Sequence, residues 1–139
     1  MTVKLASLRA DLEREAKGDW IDYPDWPGVA FNVRSLHASS YVTKRDFMLQ
    51  RLARKYKRKA PPAEVMAREA GKIYCEEVLC GWRGLDVEYT PEIALETLTD
   101  PAFRDVVAAI EWCAGEVAQR TVEFVEEATK NSDRPSAGV

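Results

Sequence analysis

Proline divides this chain at points that no helix can run through. It lacks the amide hydrogen a helix interior needs, and its ring clashes with the preceding turn. Pro61-Pro62 therefore separates two helical patterns. The first is predicted from about Tyr41 to Lys59, with Ser39 or Ser40 as its cap. The second runs from about Ala63 to Cys80. Thr90-Pro91 and Asp100-Pro101 each place a capping residue before a proline suited to the first helical position. They are expected to open a short helix over 91–98 and a long one over roughly 101–129.

The stretch before Tyr41 changes period. Val3, Leu5, Leu8, Leu12 and Ala16 recur at helical spacing and predict a helix over 2–17, stopped by Gly18. From Asp19 the alternation is every second residue, interrupted by Pro24, Pro27 and Gly28. That pattern predicts a β-hairpin across 19–36, with Val29, Phe31 and Val33 on one face. A hairpin alone is marginal in water, so it must pack on the helices or gain strands from another copy. The expected class is mostly α with a small N-terminal β-hairpin (α+β). One compact helical domain is expected over 1–129, with helices from residue 40 onward, and a disordered tail over 130–139.

Composition bounds the function. At 139 residues and 15.7 kDa the chain is the size of one domain, and 46% hydrophobic residues suffice for a core. No apolar run approaches the roughly 20 residues of a membrane span, and the charged N-terminus lacks a signal-peptide core. A soluble, cytoplasmic protein without membrane contact is the expectation. Cys75, Cys80 and Cys113 are odd in number and lack CxxC spacing, which predicts reduced thiols on helices, with Cys75 and Cys80 as small core fillers. The net charge of -3 hides an asymmetry: residues 1–60 carry 13 Lys+Arg against 7 Asp+Glu, and residues 61–139 carry 7 against 16. The halves either pair internally or offer separate docking surfaces.

Catalytic signals are thin. His37 is the single histidine, and it reads as a turn or helix-entry residue. Glu76-Glu77 and Glu123, Glu126 and Glu127 show no metal-ligand spacing and read as a solvated acidic face. No phosphate-binding glycine loop is present. Nothing asks for an enzyme, a metal or another cofactor. The helix after Ser40 is the pointed element, with eight Lys/Arg within residues 44–59 beside Phe47 and Tyr56. Such a face suits nucleic acid, an acidic partner, or the chain's own acidic half. An acidic chain without a recognised binding motif disfavours nucleic acid. Gly81-Trp82-Arg83-Gly84-Leu85 reads as a core anchor following a helix, with an aromatic partner contact as its other reading.

The order of these segments resembles the phage tail assembly chaperones. The likeness is carried by Trp20, Pro27-Gly28-Val29-Ala30-Phe31-Asn32-Val33-Arg34-Ser35-Leu36, Tyr41 and the basic helix. It continues through Gly81-Trp82-Arg83-Gly84-Leu85, Tyr89-Thr90-Pro91-Glu92 and Leu98-Thr99-Asp100-Pro101-Ala102-Phe103-Arg104, covering about residues 19–128. The resemblance implies a non-enzymatic role in building the tail of a long-tailed phage, a prophage or a tail-like particle. Such proteins bind the tape measure protein, keep it soluble, help recruit tail tube subunits and are absent from the finished virion. It also implies a programmed frameshift giving a longer form. Thr129-Lys130-Asn131 is compatible with a slippery codon run at that point.

A helical client requires apolar grooves rimmed by charge. The broad apolar surface of the C-terminal helix is one candidate, and Phe47, Leu52 and Tyr56 with Arg51, Arg54 and Arg58 are the partner-binding residues expected on the basic helix. Trp20, Gly28, Gly81, Trp82 and Gly84 are the expected structural motif. Self-association through the hairpin edge is a further expectation. The competing classes are a nucleic-acid-binding module using helix 44–59 and a structural virion or connector protein.

Overall fold

The computed structural model describes residues 1–126. It is a mixed α/β fold with five α-helices and two small sheets among those residues. In chain order the elements are β1 (Thr2–Val3), a 3-10 turn (Leu5–Leu8), α1 (Leu12–Lys17), β2 (Asp19–Asp22), β3 (Ala30–Val33), α2 (Ser39–Lys55) and α3 (Ala63–Ile73). A wide π turn (Tyr74–Val78) leads into β4 (Leu79–Arg83) and α4 (Pro91–Leu98). A second 3-10 turn (Pro101–Phe103) precedes α5 (Arg104–Val117) and β5 (Phe124–Val125).

The chain divides into two compact units. The smaller joins Met1–Asp11 to the segment from Gln119 onward. Within it β1 pairs antiparallel with β5, Thr2 opposite Val125 and Val3 opposite Phe124. The Ser7 hydroxyl donates to the Lys4 carbonyl at 2.7 Å and accepts from the Glu123 amide at 2.9 Å. The single helix expected over 2–17 is thus a strand, a 3-10 turn and the short α1. The helix expected over 101–129 ends at Val117. Beyond it Thr121, Val122, Phe124 and Val125 favour extended backbone, which pairing with Thr2–Val3 satisfies. The tail expected over 130–139 and Thr129–Asn131 lie outside the described residues.

The larger unit, Leu12–Ala118, holds the core. Its sheet has the order β2-β3-β4, antiparallel throughout. The expected hairpin is present, and its need for a further strand is met within the chain. Helical spacing carries through Val78-Leu79, yet the helix gives way there. The Leu79 amide donates to the Tyr74 carbonyl, closing the π turn, and the chain pairs with β3 instead. Trp82 lies opposite Phe31 and Gly81 opposite Asn32, so β4 occupies the β3 edge. Gly81-Trp82-Arg83 is therefore strand, and Cys80 lies on β4 instead of a helix.

Phe31, Val33, Val78, Ile110 and Cys113 are fully buried, bringing β3 and α5 together in the core. The Cys113 thiol lies 3.8 Å from the Ile21 carbonyl. Trp82 is buried, its indole N–H donating to the Val87 carbonyl at 2.8 Å. On the outer sheet face Trp20 lies over Gly81, with the Arg83 guanidinium 4.5 Å from the Trp20 ring centre. Two glycines of the expected motif, Gly28 and Gly84, adopt left-handed backbone, at φ 87° and 89°. A Cβ on Gly84 would also collide with the Gly28 carbonyl, so only glycine fits that crossing. Gly71 likewise lets α3 approach α4, where a Cβ would strike the Leu98 carbonyl.

The proline-marked starts hold. Thr90 accepts from the Ile93 amide at 3.1 Å to cap α4, and Asp100 accepts from the Ala102 amide at 2.9 Å to open the turn into α5. α2 differs: its cap position is Ala38, without a side-chain bond. Ser40 instead donates to Glu77 at 2.6 Å, an ionised partner worth more than a neutral cap contact.

Candidate functional site

α2 and α3 build the most distinctive surface. Tyr41, Met48 and Leu52 point α2 into the core. Phe47 sits one residue before Met48, hence about 100° around the helix, and is 68% exposed. Charged side chains then tie α2 to α3 and to the π turn that follows it. The Lys44 ammonium lies 2.8 Å from Glu77 and 3.2 Å from Glu76. The Arg51 guanidinium lies 2.6 Å from Glu69, which Lys72 also approaches at 3.3 Å. Between the helices is a groove of about 440 Å³, with Phe47, Met48 and Ile73 as its apolar part and Lys44, Arg51, Glu69, Lys72 and Glu76 around them.

The electrostatics follow from these pairs. Arg51 and then Lys72 hold the Glu69 carboxyl below its ordinary range, against the opposing effect of burial. Lys44 and Ser40 do the same for Glu77, while Glu77 and Glu76 raise Lys44. The result is an apolar strip bordered by fixed charges of both signs, suited to an amphipathic helix whose own charges complement it.

The expected partner-binding residues separate. Phe47 and Arg51 come together in this groove. Leu52 is 2% exposed and belongs to the core, because its position falls on the same stripe as Tyr41 and Met48. That assignment is corrected: Leu52 cannot touch a partner without unfolding α2. Tyr56 is half-buried at the helix end, with Lys55 5.7 Å from its ring centre. Arg54 and Arg58 line a separate hollow of about 290 Å³ with Ala53 and Lys57. There Lys57 and Arg58 both take left-handed backbone, at φ 52° and 67°, and the Arg58 amide closes the helix on the Ala53 carbonyl at 2.8 Å. No described acid pairs with Arg54, Lys57, Arg58 or Lys59. The basic face is thus divided between internal pairing near Lys44 and Arg51 and a free cluster at the end of α2.

A second concavity was not anticipated. About 470 Å³ opens between α3, the α4–α5 junction and α5, with Ala63, Ala67 and Ala70 on one wall and Leu98, Pro101 and Val107 on the other. At this cavity the Tyr74 hydroxyl donates to Glu111 at 2.6 Å, and burial with that carboxylate pushes the phenol far above its ordinary range. The alanine spacing on α3 was visible in the sequence as a row of small residues on one face. The Tyr74–Glu111 contact spans two helices and left no local signal.

His37 is exposed in the turn before α2, its amide donating to the Ser35 hydroxyl at 3.0 Å. Burial raises the Cys75 and Cys113 thiols to about 11, which keeps them protonated and poorly nucleophilic. Among the described residues no three His, Cys, Asp or Glu side chains are grouped to hold a metal, and no helix is long and apolar enough to cross a membrane. No family model, curated protein or solved structure matches the chain.

Proposed function

We propose that this chain is a tail assembly chaperone, a non-enzymatic protein that holds the tape measure protein of a long-tailed phage or related particle soluble. The observation that carries the reading is the α2–α3 groove, where an exposed Phe47 lies among fixed charges of both signs. The ordered set of segments from Trp20 to Arg104 supports it through the family resemblance. A tape measure chain presents long amphipathic helices that aggregate when bare, and many copies of a shallow, charge-rimmed groove can cover them without any one tight contact. In this reading a frameshifted longer form recruits tail tube subunits, and the protein works in the host cytoplasm and leaves before the virion is complete. Co-expression tests it. The tape measure protein is expected in the soluble fraction with the wild-type chain and in the pellet without it or with Phe47→Asp. A client equally soluble in all three cases would overturn the proposal.

The free basic cluster at Arg54, Lys57, Arg58 and Lys59 favours one other reading, a nucleic-acid contact. Its signature is DNA or RNA binding that weakens steeply with salt and is lost on replacing those four residues.

A further inference from the structure

A different surface of the larger unit combines the β2–β3 loop with α5. The Tyr23 ring meets Trp26 edge-on at 4.9 Å and Trp112 edge-on at 5.7 Å. Trp112 is 42% exposed, and Tyr23 and Trp26 are half-buried. The loop that carries two of these rings is closed on itself. The Tyr23 amide donates to the Val29 carbonyl at 2.9 Å, the Trp26 amide to Tyr23 at 3.2 Å and the Val29 amide to Trp26 at 3.0 Å. Pro24 and Pro27 further restrict its backbone. Aromatic rings already ordered in the free protein lose little entropy on binding.

Carboxylates lie near these rings. Asp25 accepts from the Tyr23 hydroxyl at 3.4 Å. Asp105 lies two helical turns before Trp112 and shares its face of α5. Asp22 ends β2 beside the loop. Loss of water, then the charge and hydrogen bond of Asp25, and behind them Cys113 and Asp105 raise the Tyr23 phenol, in keeping with Asp25 held against the ring. No described Lys or Arg pairs with Asp22, Asp25 or Asp105.

We infer that Tyr23, Trp26 and Trp112, with Asp25 and Asp105, form a docking surface for an arginine-bearing segment of a partner protein. Guanidinium is the cation that fits: it stacks flat on indole and phenol rings and pairs with carboxylates through its fork of N–H donors. Rings spread over a loop and a helix, exposed at Trp112 and half-buried at Tyr23 and Trp26, suit a peptide segment more than an isolated small cation. The surface shares no residue with the α2–α3 groove, so it stands independently of the proposed function.

The test uses the full chain and a fluorescently labelled synthetic peptide alternating Arg with Leu, beside a version carrying Glu at every Arg. The Arg peptide is expected to bind and the Glu peptide to fail. Trp112→Ala, and separately the double change Asp25→Asn with Asp105→Asn, should weaken binding roughly fivefold or more. Phe47→Ala should leave it unchanged. The Asp pair keeps the test open if Trp112→Ala does not fold. Equal binding of both peptides, or no effect of the Asp changes, would overturn the inference. So would a chain dimer in sedimentation that Trp112→Ala abolishes, because the occupant would then be a second copy.

Discussion

Leu52 and Phe47 stand five positions apart on α2 and separate stability from contact. Truncating Leu52, which is 2% exposed, to Ala is expected to cost about 3 kcal/mol through lost burial and a residual cavity. Truncating Phe47, which is 68% exposed, is expected to cost under about 0.5 kcal/mol. Urea unfolding of both variants checks the pair, and equal costs would contradict the division of α2 into a core stripe and a contact face. Titration tests the thiols. Burial raises Cys75 and Cys113 from 9.0 to about 11, so the folded state favours their neutral forms. That stability is complete below pH 9.0 and is lost as pH rises through about 11, with Tyr74 adding a loss in the same direction above 10.0. The urea midpoint is expected to fall over this range, and to fall less steeply in Cys113→Ala once compared with its own neutral-pH value.

At the scale of elements, α2 is clamped to the π turn by Lys44 with Glu76 and Glu77 and to α3 by Arg51 with Glu69. The carboxyls of Glu69 and Glu77 sit below their ordinary value of 4.5. Their contribution is therefore present above pH 4.5 and is lost as pH falls through the lowered folded values. These pairs are partly exposed and screened by solvent, so Lys44→Ala with Arg51→Ala should lower stability only slightly at neutral pH and flatten the acid limb of stability. An unchanged acid limb would contradict the clamp. Local chemistry made several elements legible in advance. Thr90 and Asp100 cap what their prolines follow, and the period-two run around Phe31 forms β3. Elements decided by distant pairing were not legible. Leu79 and Cys80 continue a helical pattern, yet Leu79–Arg83 forms a strand because β3 has an open edge beside it. Phe124–Val125 extends an apolar helical run and instead pairs with Thr2–Val3, more than a hundred residues away. The candidate site was legible in part for the same reason: Phe47 and the basic residues stood out by type, whereas the acids from α3 and the π turn that bind Arg51 and Lys44 emerge only on packing.

For the whole molecule, the charge asymmetry has two outcomes in one fold. Part of the basic first half is matched by Glu69, Glu76 and Glu77 of the acidic second half. The remainder, Arg54, Lys57, Arg58 and Lys59, meets no acid among the described residues at one end of α2, and Asp25 and Asp105 stand by the aromatic surface of Tyr23, Trp26 and Trp112. The proposed role is to hold another protein along the charge-rimmed α2–α3 groove. The most direct measurement is recovery of the N-terminally tagged chain from its native locus, with partners read by mass spectrometry, for wild type and Phe47→Asp. The wild type is expected to bring down a long, helix-rich protein in less than stoichiometric amount, together with a longer form sharing its N-terminus, and Phe47→Asp should lose the client while remaining folded. Recovery of nucleic acid with no protein client, or of the same client by both forms, would contradict it.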